Sequence, residues 1–252
     1  MLTAIFATIE PAIIASRGVT LEGEGYHPSY AVDLAQDPFP MSQTLYYAAG
    51  VLGMEAPVVF HNRSLEAGLA YVHAAPRALV LGRAALETAD VPPQALAFVA
   101  AQKLAFFTPG MYVRQLVSTG TGLKAWLFGA IKMISPNFPI AGELEGPVQQ
   151  AVKALGALHP SAKEQLASLV ARLLQSGAAI DLKKWIASCD LTADRAGMLL
   201  AHDFEVAQAL VKASDDGASS VTQKDRLREM VIFASSEDYF ALRQKLVVAI
   251  DS

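Results

Sequence analysis

Apolar residues along this chain change their rhythm near residue 90. Before it they fall mostly in short runs; after it they recur at helical spacing to the end. Met41–Leu52 carries Leu45, Tyr46, Ala49 and Leu52 three or four residues apart, with Gly53 as a stop, and predicts a helix. Residues 57–61, 69–73 and 78–82 are β-type runs, separated by Asn62-Arg63-Ser64 and by Ala74-Ala75-Pro76-Arg77. A small sheet is therefore expected over about residues 56–82. Helices are predicted near 93–107, 111–118, 121–133, 145–156, 160–176, 180–187, 191–202, 203–213, 221–234 and 236–248. Residues 1–38 give no clear element: an apolar start holding Glu10 and Pro11 runs into Gly18, Gly23, Gly25, Pro28 and Pro38. A few strands followed by many helices is an α+β order, mostly α-helical. No period of repeats emerges and no shift in composition marks a boundary, so residues 1–252 read as a single domain.

Composition adds a greasy character. Hydrophobic residues make up 53% of the chain and charged residues 17%, against about 25% charged in an ordinary soluble domain. That implies a large core, a surface that a partner covers, or both. The stretch Leu123–Ile134 is interrupted by Lys124 and Lys132 and is shorter than the roughly 20 apolar residues a bilayer needs. Met1–Ala15 lacks the basic start of a signal peptide. No membrane span and a cytoplasmic location are expected. Residues 1–100 hold four Lys/Arg against nine Asp/Glu, and residues 101–252 hold sixteen against fifteen. Neither part has the basic excess of a nucleic-acid binder. The lone Cys189 excludes an internal disulfide and a cysteine-rich zinc site, and reads as a small buried hydrophobe.

The candidate chemistry sits in Leu96–Phe107, an apolar helix with Gln102 and Lys103 side by side in it. A metallopeptidase helix of the form His-Glu-x-x-His works because positions i and i+4 lie about 40° apart around the axis, so two imidazoles grip one zinc ion. The glutamate polarises the bound water, and a later element supplies a third ligand. In the order of its elements the chain resembles the gluzincin metallopeptidases related to the CAAX prenyl protease and the membrane heat-shock proteases. Three stretches carry the resemblance: Pro57–Gly82 as the strand–turn–strand lead, Gln94–Phe107 as the catalytic helix, and Asp190-Leu191-Thr192-Ala193-Asp194-Arg195 as the Glu-x-x-Ala-Asp segment. It covers about residues 45–205, leaving about 1–40 as an N-terminal extension and about 206–252 as C-terminal helices.

The resemblance implies a degenerate site. Gln102 stands at the place of the first His, Lys103 at that of the catalytic Glu, and Phe106 at that of the second His. Asp190 takes the third-ligand place with a shorter side chain, and Asp194 keeps the acid that would orient a His. Gln, Phe and Asp do not make a zinc site, and Lys is no carboxylate base. No catalytic residue, metal or cofactor is therefore expected. The expected function is a non-catalytic pseudopeptidase module acting in protein–protein interaction or as a scaffold, inside a larger polypeptide or assembly. The alternative is a hydrolase with a non-standard site around Lys103, Asp190 and Asp194. Because apolar residues surround Lys103, it needs a partner, and an ion pair with Asp190 or Asp194 is expected.

Plainer readings stand beside these. Gln102-Lys103 can be the solvent edge of a helix, and Asp190–Asp194 can be an N-terminal cap. The five histidines, His27, His61, His73, His159 and His202, show no ligand spacing; His202-Asp203 reads as a helix C-terminal cap. Ser118–Gly122 lacks the Lys-Ser/Thr of a phosphate loop, and the chain has no Gly-x-Ser-x-Gly elbow.

Overall fold

The structure, a computed structural model, describes residues 1–177, 180–215 and 219–246. It is α+β and mostly helical, with one small sheet where the β-type runs predict it. Contacts divide the chain into two compact units: residues 1–20, 73–75 and 106–186, and residues 21–72, 76–105 and 187–252. The expected core of about residues 45–205 is thus shared between them.

The first unit is helical. Its elements are α1 (Leu2–Arg17), α5 (Val113–Leu116), α6 (Gly120–Ile134), α7 (Glu145–Leu155) and α8 (Pro160–Gln175), with α1 packed on the other four. Helix α1 is the element the sequence left unread, since Glu10 and Pro11 interrupt its apolar pattern. Pro11 is exposed, while Ile5, Phe6, Ile9 and Ile13 form the buried stripe. Glu10 is buried with them, and its Oε2 accepts a hydrogen bond from the Gly110 amide at 2.9 Å. Gly110 has φ +85°, and a Cβ there would sit 2.2 Å from the Thr3 carbonyl oxygen, so only glycine fits this turn. Phe6 meets the Trp185 ring at 4.4 Å between centroids, and the Trp185 indole donates to the Thr3 hydroxyl at 3.0 Å.

The second unit holds the sheet and the remaining helices: α2 (Pro40–Val51), α3 (Arg83–Leu86), α4 (Pro93–Ala105), α9 (Leu182–Ala201, of which residues 182–186 are counted in the first unit), α10 (Phe204–Ala213), α11 (Gln223–Ala234) and α12 (Glu237–Lys245). Strands β1 (Val58–Asn62), β2 (Leu69–Val72) and β3 (Ala78–Gly82) lie in the order β1-β3-β2. β1 runs parallel to β3, with Phe60 opposite Val80, and β2 runs antiparallel to it, with Tyr71 opposite Leu79. The central β3 is buried along its whole length, which is why Ala78–Gly82 reads as a continuous apolar run. Helix α4 packs against α2 and α10. It also meets α9 closely: a Cβ on Gly197 would lie 2.9 Å from the Phe98 carbonyl oxygen and from its ring. No described helix is long and apolar enough to cross a membrane.

The main departure from the sequence reading is in α9. Helix α9 runs unbroken through Cys189 and Asp190, where a break between two helices was predicted. The acids that suggested a helix start lie in its interior, so capping does not explain Asp190 or Asp194. Helix α12 is described to Lys245, and the end of the helix predicted over 236–248 lies outside the described residues.

Candidate functional site

Gln102 lies near the end of α4 and Asp194 in the second half of α9, and the two meet. The Gln102 amide donates to Asp194 Oδ1 at 2.8 Å. Arg226, on the buried face of α11, closes on the same carboxylate from the other side. Its Nε donates to Asp194 Oδ2 at 2.7 Å and its Nη2 to Oδ1 at 2.8 Å, a two-pronged pair between groups that are 4% and 2% exposed. Its Nη1 donates to the Ser214 hydroxyl at 2.7 Å, at the C-terminal end of α10. One guanidinium therefore ties α9, α10 and α11 together, and Gln102 adds α4.

Asp190, one turn before Asp194 on α9, serves a separate purpose. Its Oδ2 accepts from the Ser220 amide and hydroxyl, both at 2.7 Å, and from the Ser219 hydroxyl at 3.2 Å. It pins the chain just ahead of α11, whose own N-terminus is capped by Thr222. The two acids, i and i+4 on α9, hold the same C-terminal segment at two points.

Lys103 makes neither ion pair expected for it. Arg226 and Gln102 occupy Asp194, and Ser219 and Ser220 occupy Asp190. Lys103 instead lies along the sheet, its Nζ 5.1 Å from the centroid of the Tyr71 ring, while the Tyr71 hydroxyl donates to the Lys103 carbonyl at 2.9 Å. The ring face supplies negative charge without a carboxylate. Burial pushes the Lys103 amine below its ordinary pKa. The residue is half-buried, so it is not the exposed helix edge that the plain reading suggested.

Phe106 falls one residue past the end of α4, in the first unit, where it is buried. The other four candidate residues, Gln102, Lys103, Asp190 and Asp194, belong to the second unit. Among the described residues no group of three or more His, Cys, Asp or Glu is placed to hold a metal ion. Cys189 is buried, as expected for a small hydrophobe. His202 follows α9 with φ +55°, the left-handed turn of a helix C-terminus, while Asp203 caps the next helix by accepting from the Val206 amide at 2.9 Å.

Arg226 is the residue of this candidate site that the sequence reading missed. In Gln223–Ala234 it shares a face with Met230, four residues on. That spacing was the available signal, but an arginine in a charged helix reads as surface. Compared with family models, curated proteins and solved structures, the chain matches none.

Proposed function

We propose that this chain is a non-catalytic module of protein–protein interaction, a degenerate relative of the gluzincin peptidases in which an internal guanidinium takes the place of a metal cation. The observation that carries the reading is the engagement of Asp194. Both of its oxygens are committed to Arg226 and Gln102, in a pocket almost without solvent. A carboxylate held this way is neither a free base nor an open ligand, because releasing it leaves a buried charge unpaired. The contact of Gln102 with Asp194 is the contact that the resemblance assigns to a His and its orienting acid. Asp190, at the third-ligand place, likewise spends an oxygen on Ser219 and Ser220.

The interaction role is supported by large apolar side chains left in solvent on α2, α11 and α12: Tyr46, Tyr47, Val231, Ile232 and Phe240 are each about half exposed. With this reading go the expected cytoplasmic location, the absence of a cofactor and a place within a larger assembly. The test is metal content. Protein equilibrated with zinc and then dialysed is expected to retain none by elemental mass spectrometry. Retention of one equivalent, lost in Asp194→Asn, would overturn the reading.

A further inference from the structure

Lys103 is the only charged side chain on α4, and the elements that meet α4 leave it without an opposite charge. Helix α2 and strand β2 contain no ionisable side chain except tyrosine. On α10, Glu205 and Lys212 stand exposed in the first and last turns. On α9 beyond residue 186, Asp194 is held by Arg226 and Gln102, Asp190 by Ser219 and Ser220, and Arg195 pairs with Glu229. Among the described residues the Lys103 amine has no ion pair and no hydrogen bond; its contact is the Tyr71 ring, 5.1 Å away at the centroid. That ring is fixed in turn, because the Tyr71 hydroxyl donates to the Lys103 carbonyl. The residue is half-buried and so not sealed from solvent.

A cation placed this way is disfavoured. Burial penalises the charged form, no carboxylate offsets the penalty, and a ring face offsets it only in part. A neutral group at the same nitrogen escapes the penalty. An imine is such a group, and its planar C=N suits the flat face of Tyr71. We infer that Lys103 is a reversible covalent binding site for a small aldehyde. The free amine gives its lone pair to the carbonyl carbon, and a proton passes from nitrogen to the carbonyl oxygen. The resulting carbinolamine loses water and leaves C=N; nothing is oxidised or reduced, and water reverses the step. Burial lowers the Lys103 pKa, with no charged group contributing, and so raises the share of free amine near neutral pH.

This site goes beyond the peptidase-like reading and does not need it: zinc retention tests Asp194, whereas amine chemistry tests Lys103. The experiment is reductive alkylation of the full chain with propionaldehyde and cyanoborohydride, read lysine by lysine by peptide mass spectrometry. The exposed Lys153, Lys212 and Lys224 serve as references. Near neutral pH, Lys103 is expected to react about threefold faster than these or more. The advantage is expected to shrink as pH rises past the ordinary lysine value of about 10.4, where every amine is free. It is expected to vanish in urea, where the surroundings of Lys103 are lost. Without cyanoborohydride, the adduct is expected to disappear on dialysis. Lys103 reacting no faster than the references near neutral pH would overturn the inference. So would an advantage that is unchanged at high pH or that survives in urea, or an unreduced adduct that persists.

Discussion

The first unit buries Thr8 and Glu10 among its polar side chains, and the second buries Ser42, Thr88, Asp190, Asp194 and Arg226. Their net charges differ in the same sense. Nine Lys/Arg against five Asp/Glu leave the first unit at +4, and eleven against nineteen leave the second at −8, which together give the −4 of the whole chain. The first unit is an apolar helical assembly with one acid turned inward to a turn amide. The second is a sheet and helices joined by an ion network that reaches four helices. Burying apolar surface is tolerant of detail, whereas a buried charged pair demands that both partners be present. The second unit should therefore be the more brittle under single substitutions and the more specific in its arrangement.

The sharpest test of that contrast is Arg226→Leu, which leaves Asp194 charged in an enclosed site. A loss of about 3–5 kcal/mol is expected in urea unfolding, with most of it recovered when Asp194→Leu is added. If the double variant is no better than the single, the network does not behave as a buried ion pair. The counterpart in the first unit is Glu10→Ala, which strands the Gly110 amide; about 1–3 kcal/mol is expected. Hydrogen exchange should place the loosening in α1 and the turn at Gly110. Gly197→Ala tests helix packing without touching charge. Its Cβ meets the Phe98 carbonyl, at an expected cost of about 1–3 kcal/mol, and a neutral result would mean that α4 and α9 yield easily.

The smallest expected effects come with pH. His73, in the first unit, donates to or accepts from the Tyr112 hydroxyl at 3.0 Å, and burial, then the Arg17 charge, holds its pKa below the ordinary value. The fold thus favours neutral His73. That contribution is whole above the unfolded-state pKa of about 6.5. It falls as pH drops below that, and levels off beneath the folded-state pKa. His202, in the second unit, is lowered by burial, then by Arg243, and acts in the same direction. His202→Asn removes its titration and keeps a residue suited to φ +55°. The acid-side loss of stability is then expected to shrink in the second unit alone. An unchanged profile would remove His202 from the account.

The sheet and most helices were legible because each rests on local periodicity. Ala78–Gly82 is a continuous apolar run because both its faces are covered, and Met41–Leu52 repeats its apolar residues every three or four. Helix α1 was not legible, because Glu10 and Pro11 break the same periodicity, and the burial of Glu10 depends on Gly110, a hundred residues away. Helix α9 was split for a related reason. Acids near Cys189 look like a helix start until their partners on the α11 side are known. Of the candidate site, Gln102 and Asp194 were found through their places in a motif order. Arg226 was not, since a buried arginine is recognisable only by its carboxylate. The misplaced partner for Lys103 followed directly, because Asp194 was already taken.

The bonds to Asp194 also carry a consequence for assembly in time. Arg226 reaches Asp194 across 32 residues of chain, and Gln102 reaches it across 92. Closing the longer loop costs about 1 kcal/mol more in chain entropy, so the pairing of α9 with α11 is the cheaper first event. During folding, Asp194 would then meet its guanidinium before α4 arrives. The acid enters the interior already neutralised, and the glutamine joins a finished pair.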